Sequence, residues 1–230
     1  MKLRIRNDRM EEIEGLHNEY PYVFHHVDLS KTAIPWHWHE ELEFCYLRTG
    51  SVKVATAGQS QIFKKGEGFF INSNSLTAMT DAKDCVIDSH LFHPVFLGGH
   101  FRSVFEIKYL NPVIQNRNLD MLPIRGENQT QKQLLQKLYQ LSLLQSQPDV
   151  ELQTRNMISE IWLLLLEELK HTPLKTLPAR NQDRILTMLT YIQENYTRKL
   201  TLQEIADASA ISTRECLRCF QASIRQTPME

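Results

Sequence analysis

The spacing of hydrophobic and polar positions changes twice along the chain. From about Val23 to Val95, short apolar segments alternate with turns that are rich in glycine and asparagine. One segment ends at Thr49-Gly50 and the next ends at Ala57-Gly58. Strands that recur at spacings of about 8–12 residues between such turns are typical of a β-sandwich or a small barrel.

A helical pattern follows from about Asn128 to Lys170, where glycine is absent. Leu134, Leu138 and Leu141 have the i, i+4, i+7 spacing of a helix that buries one face. A second helix is predicted from near residue 151, after a break at residues 148–149. These helices could pack on the sheet or on a second copy of the chain, and the pattern does not distinguish the two.

The C-terminal part contains two helix starts of the same design. Thr201-Leu-Gln-Glu204 and Ser212-Thr-Arg-Glu215 both have the form of a capping box. Their separation leaves room for a short helix from Leu202 to about Ala208, a tight turn and a second helix. This is the spacing of a helix-turn-helix unit. Residues 173–182 contain two prolines without periodicity and predict a semi-rigid linker.

The second helix of this unit predicts a DNA-reading face. Its buried side is expected to hold Cys216, Cys219 and Phe220, so we interpret the CxxC pair as core rather than as zinc ligands. The side chains left facing outward are Thr213, Arg214, Leu217, Arg218 and Gln221. Arginine can pair with guanine edges or with phosphate. A plain helical hairpin with a solvated charged face is the structural alternative.

Three stretches of the C-terminal part resemble the first helix-turn-helix of AraC/XylS regulators, namely residues 191–196, 200–206 and 211–221. The resemblance implies transcription control by a dimer that senses a small molecule and binds DNA. The family's second helix-turn-helix has no counterpart before Glu230, and Arg225 stands where the family usually has glycine. We therefore expect an incomplete, C-terminally truncated DNA-binding domain that binds promoter DNA weakly.

The N-terminal part carries a second resemblance. His37, His39 and Glu43 occupy odd positions, so a strand through residues 37–43 would point all three to one face. This HxHx₃Ex₆G pattern ends at Gly50 and resembles the first cupin motif, and residues 66–72 resemble the start of the second. AraC-type sensors often carry such a barrel. The resemblance implies that His37, His39 and Glu43 bind the effector.

Metal cupins bind a divalent ion with the same constellation, but their second motif adds a histidine. That histidine is expected near Thr77, and none lies between His39 and His90. We therefore expect a sensor pocket without metal or other cofactor. If a metal does bind, the candidate ligands are His37, His39 and Glu43, with His90 or His93 as possible substitutes for the missing histidine.

Composition excludes several classes of protein. Hydrophobic residues make up 42% and charged residues 23%, which is typical of a globular protein, and the net charge of −1 identifies no partner. The four cysteines are too few and too unevenly spaced for a secreted disulfide framework. No segment is long and apolar enough for a membrane span, and no signal peptide is evident. We expect a cytoplasmic protein without a membrane partner.

Together these patterns predict an α+β protein. A cupin-like ligand-sensing barrel is expected over 1–125, a helical dimerisation or packing segment over 126–172, a linker over 173–182 and an incomplete helix-turn-helix domain over 183–230. The expected function is ligand-responsive transcription regulation by a homodimer that senses a sugar or another small metabolite, without enzyme activity. One rival is a metal-dependent cupin enzyme, an isomerase or dioxygenase, that uses His37, His39 and Glu43. Another is a DNA-incompetent sensor that acts as a dominant-negative dimer partner.

Overall fold

The computed structural model contains an antiparallel sheet followed by helices. It describes residues 4–6, 9–31, 34–100, 102–116, 118–171, 184–185, 187–188, 191–192, 195, 198–223 and 228. The predicted linker at 173–182 lies outside these residues. In the described part of the chain, no helix is long and apolar enough to cross a membrane.

The described strands form one sheet with the spatial order β1-β6-β3-β5-β7, in which β2 also pairs with β6 and β4 with β3. All of these pairings are antiparallel. The strands are β1 (Tyr22–Asp28), β2 (Ile34–His37), β3 (Leu42–Thr56), β4 (Ser60–Lys64), β5 (Gly68–Ile71), β6 (Thr77–Phe92) and β7 (Met121–Ile124).

Strand β3 corrects one sequence expectation, because the chain does not end a strand at Thr49-Gly50. It continues from Leu42 to Thr56, and its register against β6 shifts between Leu47 and Lys53. Gly50 adopts a φ of 64°, and a Cβ atom there would lie 2.1 Å from the carbonyl oxygen of Lys83. The glycine therefore marks a bend where two strands approach closely, and not a turn.

Seven helices lie in the described part of the chain, and the first five share a core with one face of the sheet. They are α1 (Val95–Gly98), the π-helical α2 (Glu106–Leu110), α3 (Asn111–Ile114), α4 (Gln129–Leu144), α5 (Glu151–His171), α6 (Leu202–Ala208) and α7 (Thr213–Ser223). The predicted stripe on α4 is confirmed, since Leu134, Leu138 and Leu141 are fully buried. They share a core with Phe44 and Phe92 of the sheet and Trp162 of α5, together with other apolar residues. The stripe thus packs within the chain.

A second core lies on the other face of the sheet and includes Cys45, Leu47, Phe69 and Ile87. A third core joins the sheet to the C-terminal helices. It contains Leu76, which follows β5, together with buried residues of the helical part, and Trp36 and Trp38 pack against it. The short chain segment that contains the two tryptophans therefore packs against a core that Leu76 shares with residues of the C-terminal helices.

Candidate functional site

The three predicted effector residues do come together, but not along one strand. Strand β2 ends at His37, and β3 begins at Leu42, so the expected continuous strand through 37–43 is wrong. The intervening Trp38 instead forms a parallel bridge with Met10, in the segment before β1. His37, His39 and Glu43 are nevertheless all buried, with 3%, 2% and 5% of their surface exposed.

The two imidazole rings are held in the same way. Nδ1 of His37 lies 2.9 Å from the carbonyl oxygen of Pro35, and Nδ1 of His39 lies 3.0 Å from that of Glu41. A carbonyl oxygen only accepts hydrogen bonds, so each Nδ1 carries a proton and donates it. The two Nε2 atoms are therefore left to interact with other buried groups. Together with Glu11 and Glu43, the two rings form a buried group that we call the polar cluster.

Each Nε2 faces a carboxylate. The distance from Nε2 of His39 to Oε2 of Glu43 is 3.6 Å, and the distance from Nε2 of His37 to Oε2 of Glu11 is 3.5 Å. Glu43 also accepts a 2.6 Å hydrogen bond from the hydroxyl of Ser89, which lies on β6. The cluster thus alternates rings and carboxylates in a buried space.

Glu11 is a site residue that the sequence analysis missed. Its backbone N–H donates to the carbonyl oxygen of Trp38, and the N–H of Trp38 donates to the carbonyl oxygen of Arg9, both at 2.8 Å. This pairing places the Glu11 carboxylate beside the rings. One ligand atom each of Glu11, His37 and His39 lie within 4.8 Å of one another. No local motif around Glu11 signals this role.

Burial and charge shift the pKa values of the cluster in opposite directions. Burial raises the pKa of Glu11 to about 7 and lowers the pKa of His37 to about 4. For Glu43, burial acts to raise the pKa, but the hydrogen bond and charge of His39 lower it to about 2. For His39, burial acts to lower the pKa, but the hydrogen bond and charge of Glu43 raise it above its usual value. His37 is thus a neutral ring, whereas His39 and Glu43 attract each other.

Thr77 occupies the position at which the second cupin motif would supply a histidine. It lies opposite His37 in the pairing of β2 with β6 and is almost completely buried. In the described part of the chain its hydroxyl oxygen has no hydrogen-bond partner. Because directly opposed residues of antiparallel strands project to the same side, this hydroxyl belongs to the wall of the cluster.

Neither of the two candidate substitute histidines joins the cluster. His90 contacts the hydroxyl groups of Tyr22 and of Ser142 on α4, at 2.8 and 3.0 Å, on the helix-covered face of the sheet. His93 follows β6, and its Nδ1 accepts a hydrogen bond from the backbone N–H of Val95. His90 faces away because it is adjacent to Ser89, and neighbouring residues of a strand point to opposite faces.

The larger part of the chain matches a known protein family. Residues 20–161, more than half of the chain, match the family described as the AraC-like ligand binding domain. The chain belongs to this family. The expected α+β class with a cupin-like sensor domain, and the resemblance to AraC-type transcription regulators, are therefore confirmed. The polar cluster lies in the AraC-like domain, except for Glu11, which precedes the matched region.

The chain is also similar to several individual proteins. The chain is 26% identical over 202 residues to YdeC of Bacillus subtilis (strain 168), an uncharacterized HTH-type transcriptional regulator, covering 85% of this chain and 68% of that protein. It is similar to the AraC-like transcriptional activator CuxR, with 16% identity, a TM-score of 0.40 and coverage of 79% of this chain and 61% of the CuxR chain. It is also similar to fatty-acid-bound ToxT of Vibrio cholerae, with 14% identity, a TM-score of 0.33 and coverage of 94% and 95%.

The C-terminal part of this AraC-type chain has the predicted helix pair. Thr201 and Glu204 form the reciprocal capping box at the start of α6, and the Ser212 hydroxyl accepts from the backbone N–H of Glu215 at the start of α7. The expected buried side of α7 is confirmed, since Cys216, Cys219 and Phe220 are buried. Burial raises the pKa of Cys216 to about 11, as for a core thiol.

Three of the predicted DNA-reading residues lie on the exposed side of α7. Arg214, Leu217 and Arg218 are exposed, and Thr213 is half-buried. Gln221 lies within the helix, but its side chain is outside the described part of the structure. The guanidinium of Arg218 donates two hydrogen bonds, of 2.9 and 2.6 Å, to the carboxylate of Glu215. Part of the positive charge of this face is therefore neutralised within the helix.

Proposed function

We propose that this protein is a ligand-responsive, DNA-binding transcription regulator without enzyme activity. Its effector is a sugar or another small polar metabolite, bound by His37, His39 and Glu43. Its DNA-reading residues are Thr213, Arg214, Leu217, Arg218 and Gln221 on α7. The proposed division of the chain is a sensor over 1–125, a helical segment over 126–172, a linker over 173–182 and a DNA-binding part over 183–230.

The observation that best supports regulation is the alternation of residues 36–39. His37 and His39 belong to the buried polar cluster, whereas Trp36 and Trp38 pack against the core of the C-terminal helices. Of these four consecutive residues, the two histidines lie in the proposed effector site. The two tryptophans pack against the core that includes residues of the C-terminal helices. A ligand that displaces the backbone of His37 or His39 would also displace the adjoining tryptophans.

This arrangement gives a concrete route for the response. A polar effector that hydrogen-bonds to Nε2 of His37 or His39 competes with Glu11 and Glu43 for these atoms. The segment that contains both tryptophans then changes position against Ile205 and Phe220 in the third core. An effector shifts an equilibrium only by its difference in affinity for two states, so we expect two packings of this core with unequal effector affinity.

Weak DNA binding is part of the same proposal. Of the described charged residues on α7, Arg218 is paired with Glu215, and Glu215 is also 3.3 Å from Arg184. Arg214 is exposed on the same helix. Since the number of phosphates neutralised sets both affinity and salt dependence, one helix with this charge supports only a shallow salt dependence.

A two-stage experiment tests the effector site and its coupling to DNA. A panel of sugars and small carboxylates is screened for compounds that raise the melting temperature of the full chain. A compound that binds the cluster loses its effect in His37→Ala but keeps it in His17→Ala, an exposed histidine. Such a compound is then added to a titration of a fluorescent DNA fragment from upstream of the gene.

We expect the compound to change the DNA affinity of the wild-type chain. We expect a smaller change in Trp38→Ala, because the contact between the cluster and the C-terminal helices is reduced. A compound that requires His37 for binding but leaves DNA affinity unchanged would contradict the proposed regulation. A chain that converts the compound to a product would favour the cupin enzyme instead.

A further inference from the structure

The buried cluster contains a set of metal-ligand atoms that includes a residue from outside the cupin-like motifs. Glu11, His37 and His39 each offer one ligand atom, and these atoms lie within 4.8 Å of one another. All three residues are buried. Two imidazoles and one carboxylate form a ligand set that suits divalent first-row transition metals.

The orientation of the rings is the one that metal-binding histidines adopt. Such histidines donate their second ring N–H to a carbonyl or carboxylate, which fixes the tautomer and directs the other nitrogen at the metal. Nδ1 of His37 and Nδ1 of His39 both donate to backbone carbonyl oxygens, at 2.9 and 3.0 Å. Their Nε2 atoms are thereby directed into the cluster.

The distance between two of the three ligand atoms also suits a shared ion. Ligands that are each about 2.1 Å from one ion lie about 3.0–3.4 Å apart, depending on the coordination geometry. Nε2 of His37 lies 3.5 Å from Oε2 of Glu11. A ring nitrogen and a carboxylate oxygen at this separation can both bind one cation placed between them.

The hydroxyl of Thr77 is an independent indication that a further group can bind in the cluster. It is buried, stands opposite His37 in the strand pairing and lacks a hydrogen-bond partner in the described part of the chain. A buried polar group without a partner costs free energy, and such groups in proteins are satisfied by a bound water or ion. A water coordinated to a metal in the cluster would provide this hydrogen bond.

We propose that Glu11, His37 and His39 bind a divalent first-row transition metal, with Glu11 taking the place of the histidine that the second cupin motif lacks. Glu43, 3.6 Å from Nε2 of His39, supplies a second negative charge beside the ion. Once both rings ligate the ion as neutral imidazoles, the two ionised carboxylates would balance its charge. The inference deepens the proposed effector site and rests on it, because the ion would be a group to which the hydroxyl or carboxylate oxygens of an effector could bind.

Metal binding can be measured without DNA or effector, so its failure is distinct from a failure of the proposed function. The full chain is treated with a chelator, and Co²⁺ is titrated into it while the visible absorption of the bound ion is recorded. We expect one Co²⁺ per chain. Glu11→Gln weakens Co²⁺ binding by about tenfold or more, because it removes an anionic ligand.

Two matched variants serve as controls. Glu12→Gln changes the neighbouring, exposed glutamate, and His17→Ala removes an exposed histidine; both should bind Co²⁺ like the wild type. Circular dichroism confirms that each variant is folded. His37→Gln tests the same site from strand β2 and provides a second measurement if Glu11→Gln does not fold.

Three results would overturn the proposal. The wild-type chain could take up no Co²⁺ at micromolar concentration. Glu11→Gln could bind Co²⁺ as tightly as Glu12→Gln does. Glu43→Gln could abolish binding while Glu11→Gln preserves it, which would place the ion on His37, His39 and Glu43 alone.

Discussion

At the scale of single residues, Gly50 connects the sequence motif to the shape of the sheet. It has a φ of 64°, and a Cβ atom would lie 2.1 Å from the carbonyl oxygen of Lys83 and 2.4 Å from that of Asp84. No rotamer change can relieve these contacts, because both neighbours are backbone atoms. Strands β3 and β6 can approach each other at the bend only where β3 has no side chain.

We predict that Gly50→Ala lowers the free energy of unfolding by about 3 kcal/mol or more, since left-handed backbone strain adds to a backbone clash. Gly66→Ala is the matched control: Gly66 has a φ of 84°, but a Cβ atom added there would meet nothing within 4 Å. That variant should lose only about 1 kcal/mol. Urea denaturation of both variants measures the difference, and equal losses would show that strain alone determines the effect.

The cluster shows which residue roles can be predicted from sequence. His37, His39 and Glu43 are close together in a recognisable motif, so their common location could be expected although the strand between them is broken. Glu11 reaches the cluster only because its backbone pairs with Trp38. Such a long-range pairing leaves no periodicity around Glu11, so the residue could be found only in the structure.

At the scale of elements, helix boundaries were more predictable than strand boundaries. The predicted span from Leu202 to Ala208 matches α6, because Thr201 and Glu204 cap the helix through local side-chain contacts. The strand expected through 37–43 is interrupted between His37 and Leu42, where Trp38 pairs with the N-terminal segment. A strand end is determined by its partners in space, which the local sequence does not encode.

Helix α7 supports a prediction about DNA binding. Arg214 is exposed, whereas Arg218 is held by Glu215. We expect Arg214→Ala to weaken binding to the upstream DNA fragment by about tenfold and to relax base preference, if Arg214 contacts a base edge. Arg218→Ala should have a smaller effect. In the wild-type chain Arg218 must leave Glu215 before it can contact DNA, and the free energy lost with this ion pair offsets part of the gain from the DNA contact.

Fluorescence titrations at two salt concentrations separate these contributions. Lys170→Ala is the control, since it removes one positive charge from α5, where Lys170 pairs with Glu167 at 2.6 Å. The control should not change DNA affinity. If Arg218→Ala weakens binding more than Arg214→Ala does, then Arg218 leaves Glu215 on binding, and our assignment of the main contact is wrong.

At the scale of the whole molecule, α5 has two different faces. One face, including Ile161 and Leu165, is buried in the core that α5 shares with the sheet. The other carries Leu152 and Leu163, which are 70% and 59% exposed, beside a cavity of about 410 Å³ that Phe105 also lines. Leucines at this spacing lie on one side of a helix, so this face can pack against the same face of a second copy related by two-fold symmetry.

We predict that the chain is a homodimer at micromolar concentration and that the double variant Leu152→Lys, Leu163→Lys is a monomer. Charged side chains on this face would be buried against each other in the dimer, which is unfavourable without partners. Light scattering measures the mass. Ile62→Lys is the control, because Ile62 is similarly exposed at 58% but lies on β4. A wild-type chain that scatters as a monomer, or a double variant that remains dimeric and folded, would exclude this face of α5 as the dimer interface.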